Sequence, residues 1–279
     1  MKKQYTCNPK NLRTINKDTA YFVGHFAGDG CIRISSPNSM CISYSVAERD
    51  LDLLEWLRSY IECDSKVHLR AREFNGKDVK EYRFSVSSVE LGLILVDFGL
   101  RPRKTYTGCI IPEQITDELF IHYFNGLFDA DGCINICRTK TGNYDMKTMI
   151  SMGDRPFLQA IGERLKRLYG LIPNIYGDKR ADHTFTLQYS TRPSTILYHL
   201  MYDDPTSFYL KRKRYIFEEA FKLRGHKNDK ILKCVKCGRL FLSNVGKELC
   251  KYCFKEQRNK YRMSKMESGH SRKISDNSL

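Results

Sequence analysis

Residues 21–34 read YFVGHFAGDGCIRI, and residues 123–136 read YFNGLFDADGCINI. Tyr, Phe, Gly, Phe, Asp, Gly, Cys and two Ile recur in the same order, offset by 131 − 29 = 102 positions. A duplication of this kind constrains the chain to two copies of one folding unit. The likeness continues more loosely. SYSVAERDLDLLEWLRSYI and YRFSVSSVELGLILVDFGLRPRKT follow the first copy, MISMGDRPFLQAIGERLKRLY and FTLQYSTRPSTILYHLMYDDPTSFYLKRK the second. Apolar spacing of three and four marks helices; alternating β-branched and aromatic residues mark strands. Each copy reads helix, two strands, helix, two strands, helix. The predicted fold class is α+β: two tandem αββαββα repeats with pseudo-two-fold symmetry, over 15–112 and 113–225.

Asp18 stands before the first motif, and Thr116 and Asp117 before the second. All three are helix N-cap types. Gly30 and Gly132 are placed to end the two helices. Gly24 and Gly28, then Gly126 and Ala130, fall at spacing four and so share a face. A face of small residues lets two backbones approach closely, so the two motif helices are expected to pack against each other. That packing would bring Asp29 and Asp131 together at their C-terminal ends. Adjacent carboxylates repel, and a divalent cation relieves the repulsion. Oxygen ligands suit Mg²⁺, and metal held between attacking and leaving oxygens is a route to phosphodiester hydrolysis. One such Asp alone would read as an ordinary polar helix end; its duplication argues for chemistry.

The net charge is +15, from 47 basic and 32 acidic residues. Such an excess favours a polyanion, because each cation on a phosphate releases a counterion. A membrane surface is the other anionic candidate, but no apolar run approaches the roughly 18 residues of a spanning helix. The basic N-terminus, MKKQYTCNPKNLRTINK, has no apolar stretch and is expected not to be a secretory signal. Nucleic acid is the expected partner.

The cysteine count is eleven, and four of these cluster in LKCVKCGRLFLSNVGKELCKYCFKEQR. The scattered seven argue against a disulfide framework and for a reducing compartment. Cys234 and Cys237 are separated from Cys250 and Cys253 by 250 − 237 − 1 = 12 residues. Two CxxC pairs at this spacing match a structural Zn²⁺ site. CVKCGRLF looks like a zinc knuckle whose Gly permits the turn and whose Phe241 packs on the hairpin, and the second pair should open a helix. So small a module, predicted over 230–262, lacks core and would take its stability from metal. Four thiolates leave no open position, which excludes a zinc-dependent enzyme. The surrounding basic sequence suggests added DNA contacts, with protein docking as the other option. Residues 263–279 are polar and are expected to be disordered.

FVGHFAGDG (22–30) and FNGLFDADG (124–132) resemble the nine-residue motif of the LAGLIDADG homing endonucleases. The resemblance spans both repeats, about 15–222. It implies that Asp29 and Asp131 bind the catalytic metals. Ala27 stands where the motif has its earlier Asp, and Asp129 keeps it; that position is expected to be a helix-end cap. His25 replaces an aliphatic residue and is taken as a packing variant. The family also places a basic residue near the end of each repeat, which points to Lys104 and Lys213, 75 and 82 residues after their aspartates (104 − 29; 213 − 131). A lysine there can stabilise developing charge or position water; ordinary phosphate-contacting or solvated lysines are the alternative.

The resemblance further implies a curved sheet saddle over the DNA, reading base edges in the major groove. Alternate strand residues should face the DNA. The candidates are Arg33, Ser35, Arg70, Arg72, Lys80 and Arg83, then Asn135, Arg138, Lys140, Lys147, Lys179, Arg180 and Gln188. Arg, Lys, Asn and Gln pair with bases or phosphates, although singly each is more often a solvated side chain. The two sets differ, so the target should be asymmetric.

The expected activity is a monomeric, Mg²⁺-dependent endonuclease that makes double-strand breaks in a long DNA site, as in intron homing. The alternative is a nuclease-inactive binder, either an intron RNA maturase or a DNA-binding regulator; the intact Asp29 and Asp131 favour the enzyme. An intein origin is not expected, for want of a splicing-junction pattern. The expected location is cytoplasmic, at the nucleoid, with a phage source as one option.

Overall fold

The computed structural model describes residues 5–36, 38–74, 77–102, 108–177, 183–225, 230–243 and 247–275. The side chains at 72, 74, 77, 78 and 264–275 lie outside that description. Lys104, Lys179 and Arg180 are therefore outside the described residues, and Arg72 is placed only by its backbone.

The first repeat runs α1 (Lys17–Asp29), β1 (Cys31–Ser36), β2 (Ser39–Ala47), α2 (Leu51–Tyr60), β3 (His68–Phe74), β4 (Lys77–Ser87) and α3 (Val89–Asp97). The second runs α4 (Phe120–Asp131), β5 (Gly132–Arg138), β6 (Tyr144–Met152), α5 (Arg155–Tyr169), β7 (Asn174–Gly177), β8 (Phe185–Tyr189) and α6 (Thr191–Tyr202). A further helix, α7 (Lys211–Arg224), follows after a break at Asp203–Asp204–Pro205. Each repeat forms a four-stranded antiparallel sheet, ordered β1-β2-β4-β3 and β5-β6-β8-β7. The αββαββα pattern and its pseudo-symmetry are thus those the sequence predicts.

Period-two alternation sorts each sheet. Ile32, Ile42 and Val86 align across three strands, with Tyr44 opposite Phe84 beside them, and all five are buried. In the second sheet Ile150 aligns with Leu187 and Thr148 with Tyr189. Helices cover these faces, and one continuous apolar core joins both repeats.

The centre of that core is the crossing of α1 and α4, which are buried over Thr19–Ala27 and Phe120–Asp129. A Cβ on Gly24 would lie 1.9 Å from the Tyr123 carbonyl oxygen; one on Gly126 would lie 2.0 Å from that of Tyr21. The two contacts are reciprocal under the 102-residue offset, as the small-residue face predicts. No side chain fits where the backbones touch.

The helix ends differ from expectation. Asn16, not Asp18, caps α1, its side chain accepting from Thr19 N at 2.9 Å. Asp18 instead accepts from Ser207 N at 2.7 Å and so ties the repeats together. Helix α4 begins after Leu119 with no side-chain cap. Asp117 is turned away toward Arg164 and Arg167 on α5, at 3.1 and 2.7 Å. Gly30 and Gly132 do follow the helices, but with φ of −72° and −82°, in extended rather than left-handed backbone. Glycine is needed there for space, since a Cβ would reach the Phe26 ring at 2.4 Å or Phe128 at 2.2 Å.

The C-terminal part is a hairpin, β9 (Lys230–Lys233) and β10 (Leu240–Ser243), followed by α8 (Lys251–Ser275). Ile231, Leu240 and Leu242 pack against the main core, where β10 meets α6. Helix α8 extends over most of the stretch whose polarity predicts disorder; Lys, Arg, Glu and Met there are good helix formers.

Candidate functional site

Helices α1 and α4 end side by side at Asp29 and Asp131. A Cβ on Gly28 would meet the Ala130 methyl at 2.3 Å and Asp131 Oδ2 at 3.0 Å. The Asp131 carboxylate therefore lies over the residue that precedes Asp29. The Asp29 side chain is 37 % exposed and Asp131 is exposed, so both face solvent. One turn behind Asp29, the buried His25 places Nε2 3.8 Å from Asp29 Oδ2. Tyr44 packs beside His25, and its phenol is held well above its ordinary pKa by burial and then by the Asp29 charge.

A cleft opens at Asp29, walled by Ser45, Ala47, Asp50, Glu81, Ala130 and Arg212 among others. Arg212 grips Asp50 with two hydrogen bonds, Nε to Oδ1 at 2.6 Å and Nη2 to Oδ2 at 2.7 Å. This pair joins α7 of the second repeat to the start of α2 in the first. Neither residue was singled out by the sequence: Asp50 lies just before α2, and Arg212 is one cation in the basic run YLKRK. The donor set at Asp29 and Asp131 is hard carboxylate oxygen open to solvent, which fits Mg²⁺ with its retained waters.

Asp129 does not cap its helix. Its Oδ2 accepts from Tyr21 Oη and from Leu210 N, both at 2.8 Å, so it latches α4 to α1 and to the start of α7. Burial raises its pKa, against the nearby Lys213 ammonium. Ala27 fills the equivalent place in the first repeat.

The cap is Lys213. Its Nζ donates to the carbonyls of Phe128 at 2.5 Å, Asp129 at 2.7 Å and Gly132 at 2.7 Å. An ammonium has three N–H donors, and all are engaged here. Lys213 is 3 % exposed, and burial pulls its pKa down to about 8 against the upward pull of Asp129. The sequence places Lys213 at the reacting phosphate; the structure places it behind Asp131, closing the end of α4 where helix carbonyls have no partner.

Strand register sorts the DNA candidates. Arg33 pairs with Cys41, Arg83 with Ser45 and His68, and Arg70 with Glu81. These positions alternate with Ile42, Tyr44 and Phe84 and so occupy the face away from the helices. Arg72 shares their register. Lys80 pairs with Ala71 and falls on the opposite face. Ser35 lies at an irregularity between Ile34 and Ser36, where pairing is broken. In the second sheet Asn135 pairs with Lys147, and Gln188 with Met149 and Asn174, on the outer face. Arg138 has the opposite parity at the strand end, and Lys140 sits in the turn.

The four cysteines of the C-terminal module converge. Their Sγ atoms all lie within 4.8 Å of one another, and Cys237 Sγ is 3.7 Å from Cys250 Sγ. A tetrahedron with Zn–S bonds of about 2.3 Å has edges of about 3.8 Å, whereas a disulfide needs about 2.05 Å. Gly238, at φ +71°, takes the knuckle's left-handed turn, and its N–H donates to Cys234 O at 2.8 Å. Phe241 and Leu249 pack on the cluster. This is a closed four-thiol site suited to a structural metal.

A family model described as a LAGLIDADG-like domain matches residues 120–199. Among solved structures, the homing endonuclease I-WcaI bound to its DNA recognition sequence superposes with a TM-score of 0.52 at 13 % identity, covering 74 % of this chain and 89 % of that one. The I-LtrWI LAGLIDADG homing endonuclease bound to target DNA gives 0.51 at 13 % identity, covering 76 % and 92 %. No curated protein sequence matches the chain. The paired helices, the two sheets and the converging thiols together make this a LAGLIDADG homing-endonuclease-like fold with a C-terminal four-cysteine metal-binding cluster.

Proposed function

We propose that the protein is a monomeric, Mg²⁺-dependent endonuclease that makes a double-strand break in a long, asymmetric DNA site. The observation that carries this reading is the pair of solvent-facing carboxylates, Asp29 and Asp131, at the crossing of two helices between two sheets. The DNA-bound state of both I-WcaI and I-LtrWI supports it.

Asp29 and Asp131 would hold the metal. Bound there, Mg²⁺ supplies charge neutralisation at the phosphate and an acidified water for in-line attack. The chain's own residues do the rest. Lys213 and Asp129 hold the end of α4, and hence Asp131, in place. Arg212 and Asp50 brace the cleft at Asp29. Lys104 is the candidate for stabilising charge on the phosphate. The sheet faces supply DNA contacts through Arg33, Arg70, Arg72 and Arg83 on one side and Asn135, Lys147 and Gln188 on the other, with Lys179 and Arg180 as further candidates. These sets differ in charge and reach, so the half-sites differ in sequence. The setting is the cytoplasm, at the nucleoid.

The test is cleavage of a randomised DNA library with Mg²⁺, with EDTA, and by Asp29→Asn. A discrete Mg²⁺-dependent double-strand cut, lost in the variant while binding persists, is the expected result. Binding without cutting under every metal tried would sink the nuclease reading in favour of a maturase or regulator.

A further inference from the structure

Among the described side chains, helix α8 meets the rest of the chain near its start, through Cys253, a Lys236–Glu256 ion pair at 2.9 Å and Arg239 over the Tyr252 ring at 5.3 Å. Cys253 is buried in its first turn, but every side chain from Phe254 to Met263 is exposed. A helix exposed all round bridges parts of a structure, is held by i,i+4 pairs, or meets an outside partner, and the described side chains supply one such pair, Glu256 with Lys260. The chain beyond Cys253 rises about 33 Å at 1.5 Å per residue, enough to lie along several base pairs of a duplex.

The charge on this helix is ordered. Lys251, Lys255, Arg258 and Arg262 follow at spacings of four, three and four, and Lys265 continues the series. Such spacing lays them in one stripe. Between Lys251 and Met263 the only acid is Glu256. It lies off the stripe, paired with Lys236 at 2.9 Å and Lys260 at 3.5 Å, so it does not cancel the stripe's charge. Phe254 and Tyr261, seven apart, run along one edge of the stripe, while Tyr252 and Met263 lie on the other side of the helix. Apolar groups on opposite sides cannot enter a bilayer together, so the pattern is not that of an interfacial membrane helix. A stripe of cations beside aromatic rings matches a row of phosphates.

We propose that α8 is a second DNA-binding element, which lays its Lys251–Lys255–Arg258–Arg262 stripe on the phosphate backbone of duplex flanking the saddle. The four-cysteine cluster fixes the direction in which the helix leaves the body, because Cys250 and Cys253 bracket its first residues. The proposal rests on the reading that the sheets bind DNA, but it concerns a separate surface and a sequence-independent contact.

The test uses the full chain loaded with zinc and a 60-base-pair duplex of random sequence, with affinity measured across a salt series. Each phosphate neutralised contributes about 0.9 to the slope of log affinity against log salt. Changing Lys255→Gln, Arg258→Gln and Arg262→Gln together should lower that slope by about 2 to 3, with zinc content and far-ultraviolet helicity unchanged. If the triple variant loses zinc, Arg258→Gln with Arg262→Gln replaces it, with an expected drop of about 2. An unchanged slope overturns the proposal. If the unaltered chain shows no duplex binding at all, this proposal and the DNA reading of the sheets fail together, whereas an unchanged slope with binding intact overturns this proposal alone.

Discussion

Lys213 shows how position decides the role of a side chain. A lysine near the end of a repeat suits a reacting phosphate, yet its ammonium is spent on three carbonyls at the end of α4. Lys213→Met keeps most of the volume but leaves those buried carbonyls unpaired. We expect a loss of about 3 kcal/mol in stability, read by urea denaturation, together with weaker cleavage. If stability stayed put and only cleavage fell, the ammonium would be working at the phosphate and its positioning role would be wrong. Asp129 carries the same lesson. In sequence it looks like a cap; in the fold it accepts from Tyr21 Oη, 108 positions away.

At the scale of elements, the N-terminal end of motif helix α4 is held by tethers rather than by a side-chain cap. Asp117 accepts from Arg167 at 2.7 Å and from Arg164, and Arg164 also donates to Ile115 O and stacks over the Phe120 ring at 4.6 Å. Its hydrogen bonds to Arg167, ahead of those to Arg164, hold the Asp117 carboxyl down at about 2, below its ordinary 3.8. The native state thus binds this proton less readily than the unfolded chain. The tether's stabilisation is present above about pH 4 and is lost as pH falls through about 2. Urea midpoints of wild type and Asp117→Asn should converge as pH drops from 5 toward 2; a constant gap would deny the tether its charge dependence. The elements themselves were legible, because apolar periodicity and the repeated motif mark them. Their ends were not: which Asp caps a helix depends on which arginines a distant helix presents. The same holds for the sheet faces. Arg33, Arg70 and Arg83 stand on three different strands, so only the register shows them on one face, whereas Lys80, three residues before Arg83 on β4, falls on the other by alternation alone.

At the scale of the whole molecule, two bodies of sequence have separate sources of stability. The repeats share one apolar core across the α1–α4 crossing, whereas the C-terminal module relies on its four thiols. We expect one zinc per chain by elemental analysis. Cys250→Ser should abolish it and loosen the hairpin and the start of α8, leaving the main melting transition within a few degrees of wild type. Loss of the main transition as well would make the module integral to the repeats, through the packing of Ile231, Leu240 and Leu242. The sequence by itself determined the duplication, the αββαββα order, the close helix crossing and the four-thiol cluster. Each of these is written in short-range spacing, and spacing survives folding unchanged. Only the tertiary structure decided which charges meet: Arg212 with Asp50, Asp18 with Ser207, Lys213 with the end of α4. Those partners lie far apart in the chain, and a polar side chain's role is set by whichever unsatisfied group the fold carries to it.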